Sequence, residues 1–276
     1  MKTYQLLAFF FASSFLVIAC KKDDPVVNDP TPTTTTQSYA SLNDYMEQSA
    51  LASEFVSFDA ALGLSFSAAK GSHLTVPPNA FVHADGSAVV GTIQMEIKEV
   101  FSNHDMIHAD KFPYSFSSVL NSGGEFYLRA RQGSEELGLA DGIMVNLEIP
   151  AQAVDEMELF FDIDDEAIDS ADWGWGLAEE FFQSNSSFTF SSADQTYSID
   201  LDTCHWGNID AFMNVQYFDI NFNLTGLNGL NSYNTTAFAI FVDENTVWPM
   251  GVSPWGTIIN NVIHETHLAD VHMNIV

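Results

Sequence analysis

Thr92-Ile93-Gln94-Met95-Glu96-Ile97-Lys98 puts its apolar residues at odd positions and its polar residues at even ones. Successive side chains of a strand point to opposite faces, so this period of two predicts a strand with one face on a core and one in water. The alternation recurs in Glu125-Phe126-Tyr127-Leu128-Arg129-Ala130-Arg131, Ile143-Met144-Val145-Asn146-Leu147-Glu148-Ile149, Phe218-Asp219-Ile220-Asn221-Phe222-Asn223-Leu224 and Val271-His272-Met273-Asn274-Ile275. Turn signals separate the runs: Asp85-Gly86, Ser122-Gly123-Gly124, Gln132-Gly133, Asp141-Gly142 and Asn228-Gly229. Short strands at this spacing, with no helical segments of about 10 to 15 residues between them, predict an all-β fold of antiparallel sandwiches and not a parallel sheet. One stretch, Ser41 to Val56, reads as helix and opens on a Ser41-x-x-Asp44 cap.

The chain has 276 residues, 46% of them hydrophobic and 23 of them Phe, which is enough to build a large core. Apolar strand gives way at Pro150 to the acidic stretch AQAVDEMELFFDIDDEAIDSAD. The break divides the body into two expected antiparallel β-sandwich domains, 39–150 and 151–276, each of ordinary sandwich size.

The segment Gly71-Ser72-His73-Leu74-Thr75-Val76-Pro77-Pro78-Asn79-Ala80-Phe81, with Asp85-Gly86, Ile97-Lys98-Glu99-Val100, Asp105-Met106-Ile107 and Ser122-Gly123-Gly124-Glu125-Phe126, resembles a module of Bacteroidetes lipoproteins of unassigned function. It is also distantly similar to the β-sandwich domain of ankyrins, netrin receptors and tight-junction scaffolds. The likeness covers about 70 to 150, and Trp206-Gly207-Asn208-Ile209-Asp210-Ala211-Phe212 more weakly. It implies a sandwich with an interaction role and brings no catalytic residues. Some relatives in the wider family cleave themselves at a Ser-Phe-Ser step, and Ser115-Phe116-Ser117 is present here. That chemistry needs a strained peptide and a nearby His, for which His73, His104 and His108 are the candidates.

Residues 1–19 read as a signal peptide: Lys2, an apolar run from Leu6 to Ile18, then Ala19 before Cys20. The run is too short for a permanent bilayer span. Val17-Ile18-Ala19-Cys20 resembles the bacterial lipobox, which implies lipidation of Cys20 and membrane anchoring without a spanning segment. Lys21-Lys22-Asp23-Asp24 resembles the signal that exports Bacteroidetes lipoproteins to the outer face of the outer membrane, with the periplasmic face as the alternative. The Pro/Thr-rich remainder of 20–38 is a flexible linker.

The formal charge of −29, from 8 Lys and Arg against 37 Asp and Glu, excludes a phosphate-neutralising surface and with it nucleic-acid binding. Residues 151–276 contain 20 acids and no Lys or Arg, so their carboxylates can be solvated, hydrogen-bonded or metal-bound. Asp162, Asp164, Asp165, Glu166 and Asp169 form the densest acidic segment and are the candidate calcium ligands, although Ala167 and Trp173 stand where an EF-hand needs Gly and Glu. Asp169-Ser170-Ala171 resembles the O-glycosylation signal of Bacteroidetes. His264, Asp270 and His272 would share a face of one strand as zinc candidates, whereas His267 would face the other side. His104, Asp105 and His108 are a second such group.

Cys204 is the one cysteine left beside Cys20 and reads as a small buried residue. The five Trp, led by Trp173-Gly174-Trp175, suit either core packing or sugar platforms. No nucleophile elbow or phosphate-binding glycine loop is present, and an enzymatic carboxylate pair cannot be singled out among so many acids. The expectation is a membrane-anchored, surface-exposed lipoprotein acting as a non-catalytic binding or structural module with a glycan or protein partner and no required cofactor. The alternatives are an enzyme or accessory protein acting on extracellular glycans or peptides, and a calcium-stabilised adhesin.

Overall fold

The hub of the fold is the long strand Ser118–Gln132. The computed structural model describes residues 40–116, 118–152, 156–163, 174–215, 217–225, 229–231, 234–241, 243–250, 256–259, 262–269 and 274–275. Thr92–Val100 pairs with the hub on one side and Trp206–Phe212 on the other. Glu54–Asp59 lies beyond the first, and Glu158–Asp162 and then Trp175–Leu177 lie beyond the second, all antiparallel. Short strands at Tyr114–Ser115 and Glu135–Glu136 complete this eight-stranded sheet. A five-stranded antiparallel sheet runs in the order Ser187–Ser191, Thr196–Leu201, Val145–Pro150, His73–Val76, Leu64–Ser67.

The alternation explains how the sheets meet. Ile93, Met95, Ile97, Phe126, Leu128, Ala130, Leu159, Phe161 and Ile209 from the larger sheet bury against Leu74, Val76, Val145, Leu147, Ile149, Tyr197, Ile199 and Leu201 from the smaller one. Fully burying one such aliphatic or Phe side chain contributes about 1.5–3 kcal/mol. Gly207 permits the closest approach in this layer: a Cβ there would lie 2.3 Å from the Phe126 ring of the paired strand.

The all-β antiparallel expectation is met, but a sandwich on either side of Pro150 is corrected. Val145–Pro150 pairs with His73–Val76 from before the break and Thr196–Leu201 from after it, and the hub pairs with Trp206–Phe212. Residues 39–276 form one compact unit. The composition becomes acidic after Pro150, yet the apolar strands before and after it have matching faces to bury, and burial decides the pairing.

A second core lies on the other face of the eight-stranded sheet. Val100, Phe160, Trp175 and Trp206 from that face, with Val119 and Leu120, meet Phe238, Phe241, Val247, Trp248, Met250, Ile258 and Ile263. The latter come from two three-stranded sheets, one of Tyr217–Asn223, Val262–Ala269 and Gly256–Ile259, the other of Thr246–Met250, Ala237–Phe241 and Asn274–Ile275. The parity is visible within one strand: Leu159 and Phe161 join the first core and Phe160 the second. The expectation that Glu125 to Arg131 would keep one face in water is thereby corrected, since Glu125 is 0% exposed.

Helix α1 (Leu42–Gln48) starts where the cap predicts, with Ser41 Oγ accepting from the Asp44 N–H at 3.1 Å. It does not reach Val56, which lies in Glu54–Asp59 and packs with Phe58 on the first core. A helix this short has little stability of its own, so strand pairing claims the following residues. Helices α2 (Asn103–Ala109) and α3 (Ala178–Phe182) are the others among the described residues. Among the described residues no helix is long and apolar enough to cross a membrane.

Candidate functional site

The open face of the five-stranded sheet is built by the residues that alternate with the first core. Register aligns Ser187, Asp200, Asn146, Thr75 and Ser65 in one rung across all five strands. Thr189, Ser198, Glu148, His73 and Ser67 form the next. Strand spacing makes each rung about 19 Å long. All ten are exposed or half-buried, and none is Lys or Arg. The side chains are short and tied to one another. Asn146 Nδ2 donates to Ser198 Oγ (3.0 Å) and Asp200 Oδ1 (2.8 Å), and the two His73 ring nitrogens meet Ser65 Oγ at 3.1 Å and Ser67 Oγ at 3.0 Å. The result is a flat array of hydroxyl, amide and carboxylate groups that loses little side-chain entropy when a ligand is held.

The buried face of the eight-stranded sheet carries different chemistry. Trp206 stands opposite Tyr127, Asn208 opposite Glu125 and Asp210 opposite Ser122, with a bulge between Asn208 and Asp210. The Trp206 and Tyr127 rings are 5.0 Å apart. Lys98 and Lys111 lie 5.9 and 5.5 Å from the Trp206 ring centre, and Arg129 lies 5.5 Å from that of Tyr127. Lys111 pairs with Asp162, Arg129 with Glu96, and Lys70 with Asp105 at 2.5 Å. The turn before Thr246–Met250 closes over Ser122, whose N–H donates to Glu244 O at 3.1 Å.

Glu125 and Asp210 are fully buried in this layer. Both Glu125 carboxyl oxygens and Oδ1 of Asp210 lack a hydrogen-bond partner, while Asp210 Oδ2 accepts from Asn208 Nδ2 at 2.5 Å. Burial first and then Asp210 push the Glu125 carboxyl well above the ordinary range, against the pull of Lys111. Burial also raises Asp210 well above its ordinary value, outweighing Ser122, Asn208 and the Gly123 N–H. Elsewhere the sign reverses. Burial opposes ionisation of Asp105 and Asp202, but Lys70, Ser102 and the Phe101 N–H hold the first below its usual value, and Ser184, the Asn185 N–H and Ser186 the second.

A groove of about 700 Å³ beside α1 and α2 is lined by Leu42, Met46, Lys98, His108, Tyr114 and Phe238 among others. A smaller recess of about 290 Å³ holds Asp202, Ser184 and His205.

Cys20, Asp164, Asp165, Glu166, Asp169, Asp270 and His272 lie outside the described residues. Asp162 ends Glu158–Asp162, 1% exposed beside Lys111. His264 is exposed and meets Asn221 Oδ1 through Nδ1. The His104 and His108 rings lie 4.3 Å apart and tilted by 46° on α2, where Asp105 binds Lys70. Among the described residues no group of three or more His, Cys, Asp or Glu is placed to hold a metal. Phe116 has a left-handed backbone with φ of 52°, next to buried Ser115, while Ser117 lies outside the described residues. His73, a candidate base for that step, is instead held by Ser65 and Ser67.

Burial pushes the Cys204 thiol up to about 12, and its side chain packs on the first core. Trp175, Trp206 and Trp248 are 1%, 7% and 1% exposed, which makes them core residues and not sugar platforms. Sequence reasoning missed Glu125 and Asp210 as buried groups. Their signal was an aromatic of the same parity, Tyr127 with Glu125 and Trp206 with Asp210, since a large ring on a polar face implies a covering layer.

No family model matches the chain, and neither a curated protein nor a solved structure matches it.

Proposed function

We propose that this is a lipid-anchored protein of the outer membrane, displayed at the cell surface, whose five-stranded sheet is a non-catalytic binding face for neutral glycans. The two polar rungs are the observation that carries this reading. Short hydroxyl, amide and carboxylate groups exchange hydrogen bonds well with sugar hydroxyls, and Glu148 and Asp200 on a chain of charge −29 repel polyanions. The face offers no apolar anchor of the kind a protein partner favours. The buried position of Glu125 and Asp210 supports a non-catalytic role, because a polymer has no access to the two carboxyls whose pKa is raised most. The Cys20 lipobox and the 20–38 linker would hold the face away from the membrane.

Retention of the purified chain on immobilised neutral and anionic polysaccharides tests the reading. Thr75→Arg with Ser198→Arg places bulk inside both rungs, next to their central residues, and should abolish retention on a neutral glycan, whereas Gln94→Arg on the other sheet should not. Equal retention of both variants sinks the glycan reading. Labelled palmitate should enter the wild-type chain and not Cys20→Ala.

A further inference from the structure

We propose that Glu125 and Asp210 hold one divalent cation, calcium, inside the layer between the eight-stranded sheet and its covering strands. The inference does not rest on the glycan reading, and it assigns calcium to residues other than Asp164, Asp165, Glu166 and Asp169. Three carboxylate oxygens in one fully buried place have no partner: Oε1 and Oε2 of Glu125 and Oδ1 of Asp210. They come from neighbouring strands at adjoining register positions, Glu125 opposite Asn208 and Asp210 opposite Ser122. Buried polar groups without partners are rare in folded proteins, and an ion is one of the few ways to satisfy several at once.

The local charges point the same way. Lys111, Lys70 and Arg129 each have a carboxylate of their own in Asp162, Asp105 and Glu96, and Lys98 lies over Trp206. Glu125 and Asp210 therefore bring two negative charges against Lys98, the one cation of these four without a carboxylate of its own here, so negative charge is left over for a divalent ion to offset. Two protons would also neutralise the pair. A protonated Glu125 would still need an acceptor for its O–H, and neither of its oxygens has a hydrogen-bond partner. An ion satisfies all three orphan oxygens together.

The donor chemistry selects the metal class. Carboxylate oxygens with the Ser122 hydroxyl and the Asn208 amide oxygen nearby form a hard, all-oxygen set without sulfur or imidazole, which suits calcium over zinc. Ser122 Oγ and Asn208 Oδ1 are 3.5 Å apart, and Asn208 Nδ2 already orients Asp210 from outside. Both groups supporting the site are 0% exposed.

The full chain is stripped with chelator, then titrated with calcium chloride while its melting temperature is followed. Bound calcium is counted by elemental analysis, and terbium chloride reports the same site through Trp-sensitised luminescence. We expect about one ion per chain and a rise of about 5 °C or more at a hundredfold excess over Kd. Glu125→Gln and Asp210→Asn should each lose the shift and the luminescence, while Asp164→Asn with Asp165→Asn and Glu166→Gln keeps both. Absence of bound ion and of a shift in the wild-type chain overturns the proposal. A response that survives Glu125→Gln and Asp210→Asn, or disappears in the triple variant at 164–166, also overturns it. A wild-type melting temperature in chelator that falls with rising pH, with no ion bound, assigns the pair to shared protons instead. If both single variants fail to fold, the ion count on the wild-type chain decides alone.

Discussion

Val145–Pro150 and Ser118–Gln132 carry the same alternation and end in opposite surroundings. In the first, Leu147 is buried and Glu148 faces water on the open side of the five-stranded sheet. In the second, Phe126 is buried and so is Glu125, because two small sheets cover the face that alternation assigns to solvent. A glutamate in a polar position of a strand thus costs almost nothing in one sheet and demands compensation in the other. Whether a third layer exists decides which, and the strand itself does not encode it.

The covering layer is the first place to break this contrast. Trp248→Ala empties the second core beneath Tyr114, whose ring is 5.8 Å away, and should cost about 3–5 kcal/mol in urea unfolding. A loss under 1 kcal/mol would mean that the layer contributes little and that the buried face is open to water. Next comes Lys111→Met, which keeps the side-chain volume and removes the cation beside Asp162 and Trp206. It should cost about 3 kcal/mol, since it takes away one member of a buried ion pair.

The paired carboxylates give a smaller, pH-dependent effect. Asp202 is held below its ordinary value, so its stabilisation is present above the unfolded pKa and is lost as pH falls through the folded one. Asp202→Asn should flatten that acid limb and cost about 1–2 kcal/mol at neutral pH. An unchanged acid limb in the variant would exclude Asp202 as a source of acid lability. Smallest of all, Glu148→Gln on the open face should stay within about 0.5 kcal/mol of wild type. A penalty matching that of Lys111→Met would erase the difference between the faces.

Much of the strand content was legible because burying one face of a strand imposes a period of two. Thr92–Val100 and Val145–Pro150 follow their predicted runs closely. The start of α1 was equally legible, since a Ser41 cap is local chemistry. Its end was not: Val56 has a place in a helix or a strand until Thr92–Val100 arrives beside it. The boundary expected at Pro150 rested on composition, and composition does not register that His73–Val76 and Thr196–Leu201 flank the same strand.

The candidate sites divide in the same way. His264 and Asp162 stood out by density of ligand-type residues, yet one meets Asn221 and the other Lys111. Glu125 and Asp210 stood in unremarkable alternation, 85 positions apart by their numbers. Sequence alone determined the excess of acid and the strand period, because each is set by composition or by neighbours along the chain. Tertiary structure alone decided which polar faces remain in water and which carboxylates meet in the dark between strands. That choice depends on which distant apolar surfaces find each other, and the burial of those surfaces is strong enough to carry charged groups inside with them.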